Sequence, residues 1–414
     1  MNIKNVSCSV IAFLLLTVGT SCSPVNVKRP VSPSPPETIH SFLTPVTVLP
    51  QLPASDGYQD IVFSPDNKTL AISTDETRPG YENKYDDPLA YIGRLRLRDL
   101  QTGKRILTEL SKDDVEAFCF SPDGQHIATE LQEGLSTEKS KMQFWDIRSG
   151  KLLWSKSINA GQQLIQFSPD GNYIVSAEYS VFIWQAKTGK ILHNLYLYVS
   201  EGEGVDAMKF SPKGDLVAID LGERILSLDA KSWRIDPRNA LKGGVNLTRS
   251  LAFSPDGKLL AVSLFYSEAG ISSLWVWDVT KRKLLRSYTD DDWSVVPYAG
   301  RPLYFTADGK LLLIDLYTLA VNKPHSKFQP IFKSDRELMD LSIKRMLAVT
   351  KSPDGNWVEI WDVKHKILKQ KWKSSFPGFP NYDRAVFCPD GSMLATIRKV
   401  NDNEREVAQL WHVQ

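Results

Sequence analysis

Histidines and carboxylates, the side chains that most often do chemistry, are scattered along this sequence. None of the six histidines has a second histidine at the HxH or HxxxH spacing typical of a metal site on one strand or helix. The chain has no GxSxG nucleophile motif, P-loop or GxGxxG turn. The acidic run 290–292 could attract Ca²⁺, but no EF-hand spacing follows it. The sequence therefore predicts neither a metal site, nor a histidine-based triad, nor a bound cofactor.

One set of polar residues does recur at a fixed place, four residues before a repeated phenylalanine. Acids, bases and amides share this position: Gln59, Glu116, Gln163, Asp206, Arg249, Arg301, Glu337 and Asp383. If the repeats surround an axis, these side chains ring the mouth of a central channel. The mixed signs argue against a polyanion site. Two interpretations stay open: solvated strand starts with cross-repeat ion pairs, or a recognition ring that would also supply the acids and bases of any enzyme.

The repeated phenylalanine, which we call the anchor, opens the pentapeptide Phe-Ser-Pro-Asp-Gly. Copies, intact or eroded, start at Phe63, Phe120, Phe167, Phe210, Phe253, Phe305 and Phe387. Ser-Pro-Asp-Gly fits a type I β-turn in which proline presets φ. Apolar β-forming runs flank it, so each copy predicts strand, tight turn, strand. A spacing of about 40–50 residues predicts a β-propeller.

The number of repeats depends on the last interval, which is about twice the usual spacing. Leu341-Ser342 stands where an eroded Phe-Ser would be expected, and the strand-like RMLAVT follows it. We therefore predict eight blades, with seven as the alternative if residues 301–363 form one enlarged blade.

A second mark in each repeat is an apolar run that ends near Trp-Asp and often continues to Gly-Lys. Examples are MQFWDIRSGK (142–151) and LWVWDVTKRK (274–283). With both marks in phase, the chain resembles the WD40-repeat family of β-propellers over roughly residues 55–414. The resemblance implies an all-β fold with one propeller that acts as a protein-binding scaffold. The family's Gly-His dipeptide is absent, so its Asp-His-Ser-Trp tetrad is not expected, and periplasmic quinoprotein-like or hydrolytic propellers stay open as an alternative.

The N-terminus resembles a secretory signal, with a basic start followed by the short apolar run VIAFLLLTVG (10–19). Cys22, after Gly-Thr-Ser, resembles the acylated cysteine of a bacterial lipobox. We thus expect a signal peptide over 1–21, a Pro-rich tether over 22–39 and the propeller over 40–414. The implied location is the cell envelope, with the outer membrane favoured because Ser23 follows the cysteine. Cleavage near Ser21 without a lipid, or an uncleaved anchor, stays open.

The last repeat ends at Gln414 after its Trp strand and lacks a fourth strand. Since an open ring would expose strand edges, we predict that residues about 41–49 complete this blade. Pro45 is acceptable there because an outermost strand is an edge.

Composition restricts the partners. The formal net charge of +2 comes with no basic stripe, so no nucleic acid is expected. Cys119 and Cys388 occupy different repeat positions and are predicted to be buried free thiols that act as small hydrophobic residues.

The long insertions all fall on one side of the predicted disc, at 74–93, 130–141, 265–273, 286–300 and 372–384. Loops on a rigid scaffold often carry binding function, and aromatic residues anchor interfaces. The candidate binding residues are Tyr81, Tyr85, Trp293, Tyr298, Trp372, Phe376, Phe379 and Tyr382. The alternative is that these rings have only a structural role and pack the loops against the disc. The leading hypothesis is a monomeric, lipid-anchored, non-catalytic propeller that binds a protein or envelope component. A structural role in envelope assembly stays open.

Overall fold

The computed structural model describes residues 42–48, 57–77, 91–107, 114–132, 139–158, 164–197, 204–221, 224–235, 241–242, 247–266, 271–288, 303–314, 316–321, 323, 326–332, 336–373, 384–399 and 406–414. All regular elements in these ranges are β-strands. The strands form eight antiparallel sheets, which are the blades. We call the strands of a blade a to d, from the innermost to the outermost.

Strands β2 to β18 build the first four blades. Blade 1 contains β2 (Gly57–Phe63), β3 (Thr69–Thr77), β4 (Tyr91–Asp99) and β5 (Arg105–Ile106). Blade 2 contains β6 (Val115–Phe120), β7 (His126–Gln132), β8 (Ser140–Asp146) and β9 (Leu152–Ile158). Blade 3 contains β10 (Leu164–Phe167), β11 (Tyr173–Ala177), β12 (Ser180–Gln185) and β13 (Lys190–Tyr196). Blade 4 contains β14 (Ala207–Phe210), β15 (Leu216–Asp220), β16 (Arg224–Asp229), β17 (Arg234–Ile235) and β18 (Leu241–Lys242).

The remaining strands build blades 5 to 8. Blade 5 contains β19 (Leu247–Phe253), β20 (Leu259–Tyr266), β21 (Ile271–Asp278) and β22 (Lys283–Tyr288). Blade 6 contains β23 (Leu303–Phe305), β24 (Leu311–Ile314), β25 (Tyr317–Ala320) and β26 (Gln329–Pro330). Blade 7 contains β27 (Glu337–Ser342), β28 (Leu347–Lys351), β29 (Trp357–Asp362) and β30 (Ile367–Lys373). Blade 8 contains β31 (Arg384–Phe387), β32 (Met393–Lys399), β33 (Glu406–Val413) and β1 (Leu43–Val48).

The hydrophobic core is divided among the boundaries between successive blades. Each blade buries both faces of its sheet, one against the preceding blade and one against the next. Ile61 and Phe63 of blade 1 pack with Cys388 and Leu410 of blade 8, which closes the ring. The eight-bladed propeller is thus confirmed, and the seven-bladed alternative is wrong because residues 301–363 contribute to two separate sheets.

The closing strand is also confirmed. β1 pairs antiparallel with β33, with Leu43 opposite Val413. The register shifts between Pro45 and Thr47, so a bulge accommodates the proline at this outer edge. Leu43 is only 2% exposed, because it enters the core between blades 7 and 8.

The repeated pentapeptide forms the turn between strands a and b. In blade 5, the Ser254 hydroxyl donates to Asp256 (2.6 Å) and accepts the Leu259 N–H (2.9 Å), while Gly257 N–H donates to Ser254 O (2.8 Å). Gly257 has a φ of 75°, which favours glycine. The serine, aspartate and glycine therefore each supply one part of the turn.

Cys388 corrects one expectation. It replaces the turn serine in blade 8, and its Sγ donates to Asp390 (3.0 Å) and accepts the Met393 N–H (3.1 Å). The buried thiol thus acts as a hydrogen-bonding residue of the turn as well as a small hydrophobic one. Cys119, half-buried on an inner strand, is a free thiol too.

Blade 7 has the predicted eroded anchor, but its turn is displaced. Leu341 pairs with Ala348 as Phe63 pairs with Leu70, so Leu341 is the anchor of this blade. The Ser-Pro-Asp-Gly sequence at 352–355 instead joins β28 to β29, which are strands b and c. In this blade the same tight turn therefore lies on the opposite side of the disc.

The long insertions are partly strand. The insertion predicted at 265–273 extends a hairpin in which Tyr266 pairs with Ile271. The centres of the five insertions, within 78–90, 133–138, 267–270, 289–302 and 374–383, lie outside the described residues. Within the described ranges, no helix is long and apolar enough to cross a membrane.

Candidate functional site

The two sides of the disc differ in their connections. The a–b and c–d turns open on one side, which we call the short-turn face. The b–c turns and the connections between blades open on the other side, the long-loop face. Each a strand therefore starts at the long-loop face and ends at the short-turn face.

Most of the predicted aromatic binding residues cannot be placed. Tyr81, Tyr85, Trp293, Tyr298, Phe376, Phe379 and Tyr382, like Cys22, lie outside the described residues. Trp372 is half-buried on β30, packs against the core between blades 7 and 8, and stacks on Trp411 with 6.4 Å between ring centroids. These contacts give Trp372 a packing role between blades.

The predicted ring of polar residues lies at the starts of the a strands. Glu116 is exposed on β6, Asp206 is exposed directly before β14, and Glu337 opens β27 half-buried. Register shifts place bulges at Gln59, Glu116 and Arg249, the same position in blades 1, 2 and 5. Bulges re-aim side chains and often border functional sites. The side chains of Gln59 and Arg249 are not described, and Gln163, Arg301 and Asp383 lie outside the described residues.

Two tyrosines that sequence reasoning missed project from the long-loop face of blade 3. Tyr196 is 77% exposed at the end of β13, and Tyr179 is 54% exposed in the two-residue turn between β11 and β12. Tyr196 pairs with Ser180, the residue next to Tyr179, so the two tyrosines lie close together in the fold. They are the most exposed large hydrophobic side chains in the described part of the chain.

The backbone beneath this tyrosine pair is firmly held. The Val205 N–H donates to Glu178 O (2.7 Å), which ties the turn of blade 3 to the start of blade 4. Gly204 lies against the Tyr179 ring, since a Cβ built there would be 3.8 Å from Tyr179 Cε1. Burial raises the pKa of Glu178 beside them. The turn that carries Tyr179 is therefore hydrogen-bonded to the next blade, and the acidic side chain of Glu178 lies beside it.

The innermost strands form the inner wall of the ring, and in three blades the residue before the anchor bonds to the next blade. Gln166 Oε1 accepts the N–H of Phe210, the next blade's anchor (3.0 Å), and Asp340 Oδ2 accepts the Phe387 N–H in the same way (2.6 Å). Cys119 receives the corresponding bond from the backbone of Phe167. These side chains satisfy N–H groups at the inner edge of the following sheet.

The electrostatics of this wall reflect its enclosure. Burial raises the pKa of Asp340 to about 6, although hydrogen bonds from backbone N–H groups of Phe387 and Leu341 lower it in part. Burial, and then the Asp340 charge, raise the pKa of Tyr304. Lys209 is exposed to water, yet desolvation by the surrounding protein lowers its pKa.

The described residues bring no group of three or more His, Cys, Asp or Glu side chains together as a metal site. The titratable groups of the inner wall instead make bonds between blades. The described surface therefore suits binding to another molecule, through two exposed aromatic rings at the long-loop face.

Comparisons with known proteins agree with the fold. No protein-family profile matches the chain. The Dos1 propeller is 16% identical, with a TM-score of 0.60 over 90% of this chain and 96% of that one. A chain of the mitotic checkpoint complex is 14% identical, with a TM-score of 0.50 over 96% and 99% of the two chains. At this identity the likeness shows the fold alone, a β-propeller.

Proposed function

We propose that this protein is a non-catalytic propeller scaffold that binds a protein partner through its long-loop face, with Tyr179 and Tyr196 as the main contact residues. The observation that carries the proposal is the exposure of these two tyrosine side chains, 54% and 77%, at one place in the fold. Other aromatic side chains that the structure describes, such as Trp154 and Trp184, are buried between blades. Two exposed tyrosines at one place therefore stand out against the packing of the rest of the molecule.

Tyrosine suits this role on energetic grounds. A tyrosine side chain buries roughly 150–250 Å² at an interface and fixes only two torsions, so little conformational entropy is lost. Its hydroxyl can bond at the wet rim of a contact. Because the backbone under the pair is tied to blade 4 by the Val205–Glu178 bond, binding requires little ordering of the scaffold.

The proposal includes attachment through a lipid at Cys22, with the propeller held at a bacterial envelope membrane by residues 22–39. The lipobox-like sequence supports this part. Two or more acyl chains would hold the protein stably, whereas one chain binds only marginally. Metabolic labelling with a fatty-acid analogue tests it: label should enter the wild-type chain and be lost in Cys22→Ser, while label retained in the variant would contradict it.

Site-specific photo-crosslinking in cells tests the binding face. A crosslinker at Tyr179 or at Tyr196 should capture the same protein. A crosslinker at Ile367 should not, since this residue is 52% exposed at the start of β30, on the short-turn face. Equal capture of one partner from both faces, or of unrelated proteins from the two tyrosines, would refute the assignment.

Affinity measurements with the captured partner give the quantitative test. Tyr196→Ala should weaken binding at least tenfold, since interface tyrosines often contribute about 1–2 kcal/mol or more. Ile367→Ala is the matched control and should leave binding unchanged. Tyr196 is so exposed that the folded state should change by less than about 0.5 kcal/mol, and circular dichroism checks this. An unchanged dissociation constant for Tyr196→Ala would sink the proposal.

A further inference from the structure

A cavity of about 250 Å³ lies between blades 4 and 5 at the short-turn face. Its lining is apolar at the base, with Ala218, Ile225 and Leu260 almost fully buried. Arg234 and Arg282, both exposed, lie at its rim. The cavity is on the opposite side of the disc from the tyrosine pair, so it belongs to a different site.

The repeat explains why a cavity forms here. Strand c of each blade has an equivalent position, paired with the same place on strand b and on the face toward the next blade. Its residues are Leu97, Phe144, Ile183, Ser227, Val276, Thr318, Ile360 and Leu410. Phe144 of blade 2 packs against the anchor of blade 3, Phe167, at 6.0 Å between ring centroids. Blade 4 has Ser227 at this position, and a serine side chain cannot fill the volume that phenylalanine or isoleucine occupies.

The anchor of blade 5 shows the consequence. The six other anchor phenylalanines are at most 9% exposed, whereas Phe253 is only half-buried and lines the cavity. Half-buried Leu216 and Val279 complete the apolar wall. The exposed parts of Phe253, Leu216 and Val279 therefore offer apolar surface that a ligand could bury.

The rim has an excess of positive charge. Arg234 and Arg282 are opposed by one acid, Asp229, and the Asp229 carboxylate is engaged by its own turn. Its Oδ1 accepts bonds from the Ser232 N–H and hydroxyl (both 2.7 Å) and from the Lys231 N–H (3.1 Å). These bonds lower the pKa of Asp229 and keep the acid within the turn. Guanidinium groups bind carboxylates with two parallel bonds.

We propose that this cavity binds a small apolar group that carries a carboxylate, with the apolar part against Phe253 and Leu216 and the carboxylate at Arg234 and Arg282. The size fits, because a cavity of about 150 Å³ already accepts benzene. Two sources share this chemistry: a free aryl or alkyl carboxylate, and the C-terminal apolar residue of a peptide. The inference does not depend on the tyrosine pair.

Titration of the full-length chain with two pairs of probes tests the proposal. The first pair is 4-phenylbutanoate and its amide; the second is acetyl-Gly-Gly-Leu with a free or an amidated C-terminus. Ligand-observed NMR should detect the acids with dissociation constants on the order of 1 mM, as expected for ligands of this size. The amides should bind at least fivefold more weakly. Whichever acid binds at least tenfold better identifies the source.

Two variants and a control locate the binding site. Ser227→Ile, which copies blade 3, should fill the cavity and reduce acid binding at least tenfold, and Ser227→Val is the smaller alternative if isoleucine prevents folding. Arg282→Gln should weaken the acids at least fivefold and leave the amides unchanged. Arg148→Gln removes an exposed arginine from the equivalent turn of blade 2 and should change nothing. Equal binding of acid and amide, unchanged binding in the Ser227 variants, or no binding at 10 mM would each overturn the proposal.

Discussion

Asp340 should make the stability of this propeller depend on pH in a direction opposite to that of most aspartates. Burial raises its pKa to about 6 in the folded protein, against about 3.9 in an unfolded chain. The folded state therefore binds this proton more tightly. The resulting stabilisation is fully present below about pH 4 and is lost as the pH rises through 6. A difference of roughly two pKa units corresponds to about 3 kcal/mol.

Asp340→Asn isolates this effect. The asparagine is neutral at every pH, and its amide oxygen can still accept the Phe387 N–H that Asp340 Oδ2 accepts at 2.6 Å. Urea denaturation at pH 4.5, 6.0 and 7.5 should show a free-energy difference, variant minus wild type, that increases by about 2 kcal/mol across the range. The difference removes contributions from other titrating groups, since they are common to both proteins.

Asp390→Asn is the control. Desolvation raises the pKa of Asp390, but bonds from Cys388 and Ser392 outweigh it and lower the pKa to about 2. Both the folded and the unfolded values then lie below the tested range, so the difference for this variant should be nearly flat above pH 4.5. A flat profile for Asp340→Asn would refute the reasoning. It would mean that water reaches the inner wall well enough to keep Asp340 ionised at little cost.

Two further predictions concern the closing strand and a turn. Leu43→Ala should lower the free energy of unfolding by about 2–5 kcal/mol, because it leaves a void between blades 7 and 8. Val46→Ala, on the exposed side of β1, should lower it by less than about 0.5 kcal/mol in urea denaturation. Similar losses for the two variants would contradict closure by β1. Gly189→Ala and Gly150→Ala both place a side chain at positive φ, but a Cβ at 189 would be 2.5 Å from the Trp154 ring while the nearest atom at 150 is 3.7 Å away. Gly189→Ala should therefore lower the thermal unfolding midpoint more than Gly150→Ala, because it adds about 1 kcal/mol or more of strain. Equal shifts of the two midpoints would argue against this packing.

Local chemistry made much of the scaffold predictable from sequence. The turn uses a hydroxyl or thiol, a carboxylate and a residue at positive φ, and even the eroded copy Phe305-Thr-Ala-Asp-Gly retains all three. The closing strand was predictable because the last sequence repeat supplies only three strands of blade 8, and the apolar run near residue 43 belongs to no other repeat. In each case the reason for the structure lies within one or two repeats.

The tyrosine pair could not be predicted in the same way. Tyr179 is exposed because its turn has only two residues, whereas the long insertions are the segments that resemble binding loops in the sequence. Tyr196 looks like any β-strand aromatic in sequence, and its exposure depends on its lying at the end of an outermost strand. The available signal was the shortness of the b–c connection of blade 3, where Glu178 and Tyr179 alone separate two apolar runs.

Two side chains at the boundary between blades 4 and 5 have separate physical effects. At the inner wall, Gln166 and Asp340 accept the N–H of the next anchor, but Lys209 of blade 4 carries only donors and cannot do this for Phe253. Farther out, Ser227 leaves the Phe253 ring partly uncovered. Both side chains lie toward the same anchor, Phe253, of the next blade. Phe253 is thus the one anchor phenylalanine that is only half-buried, and the cavity beside it follows from Ser227.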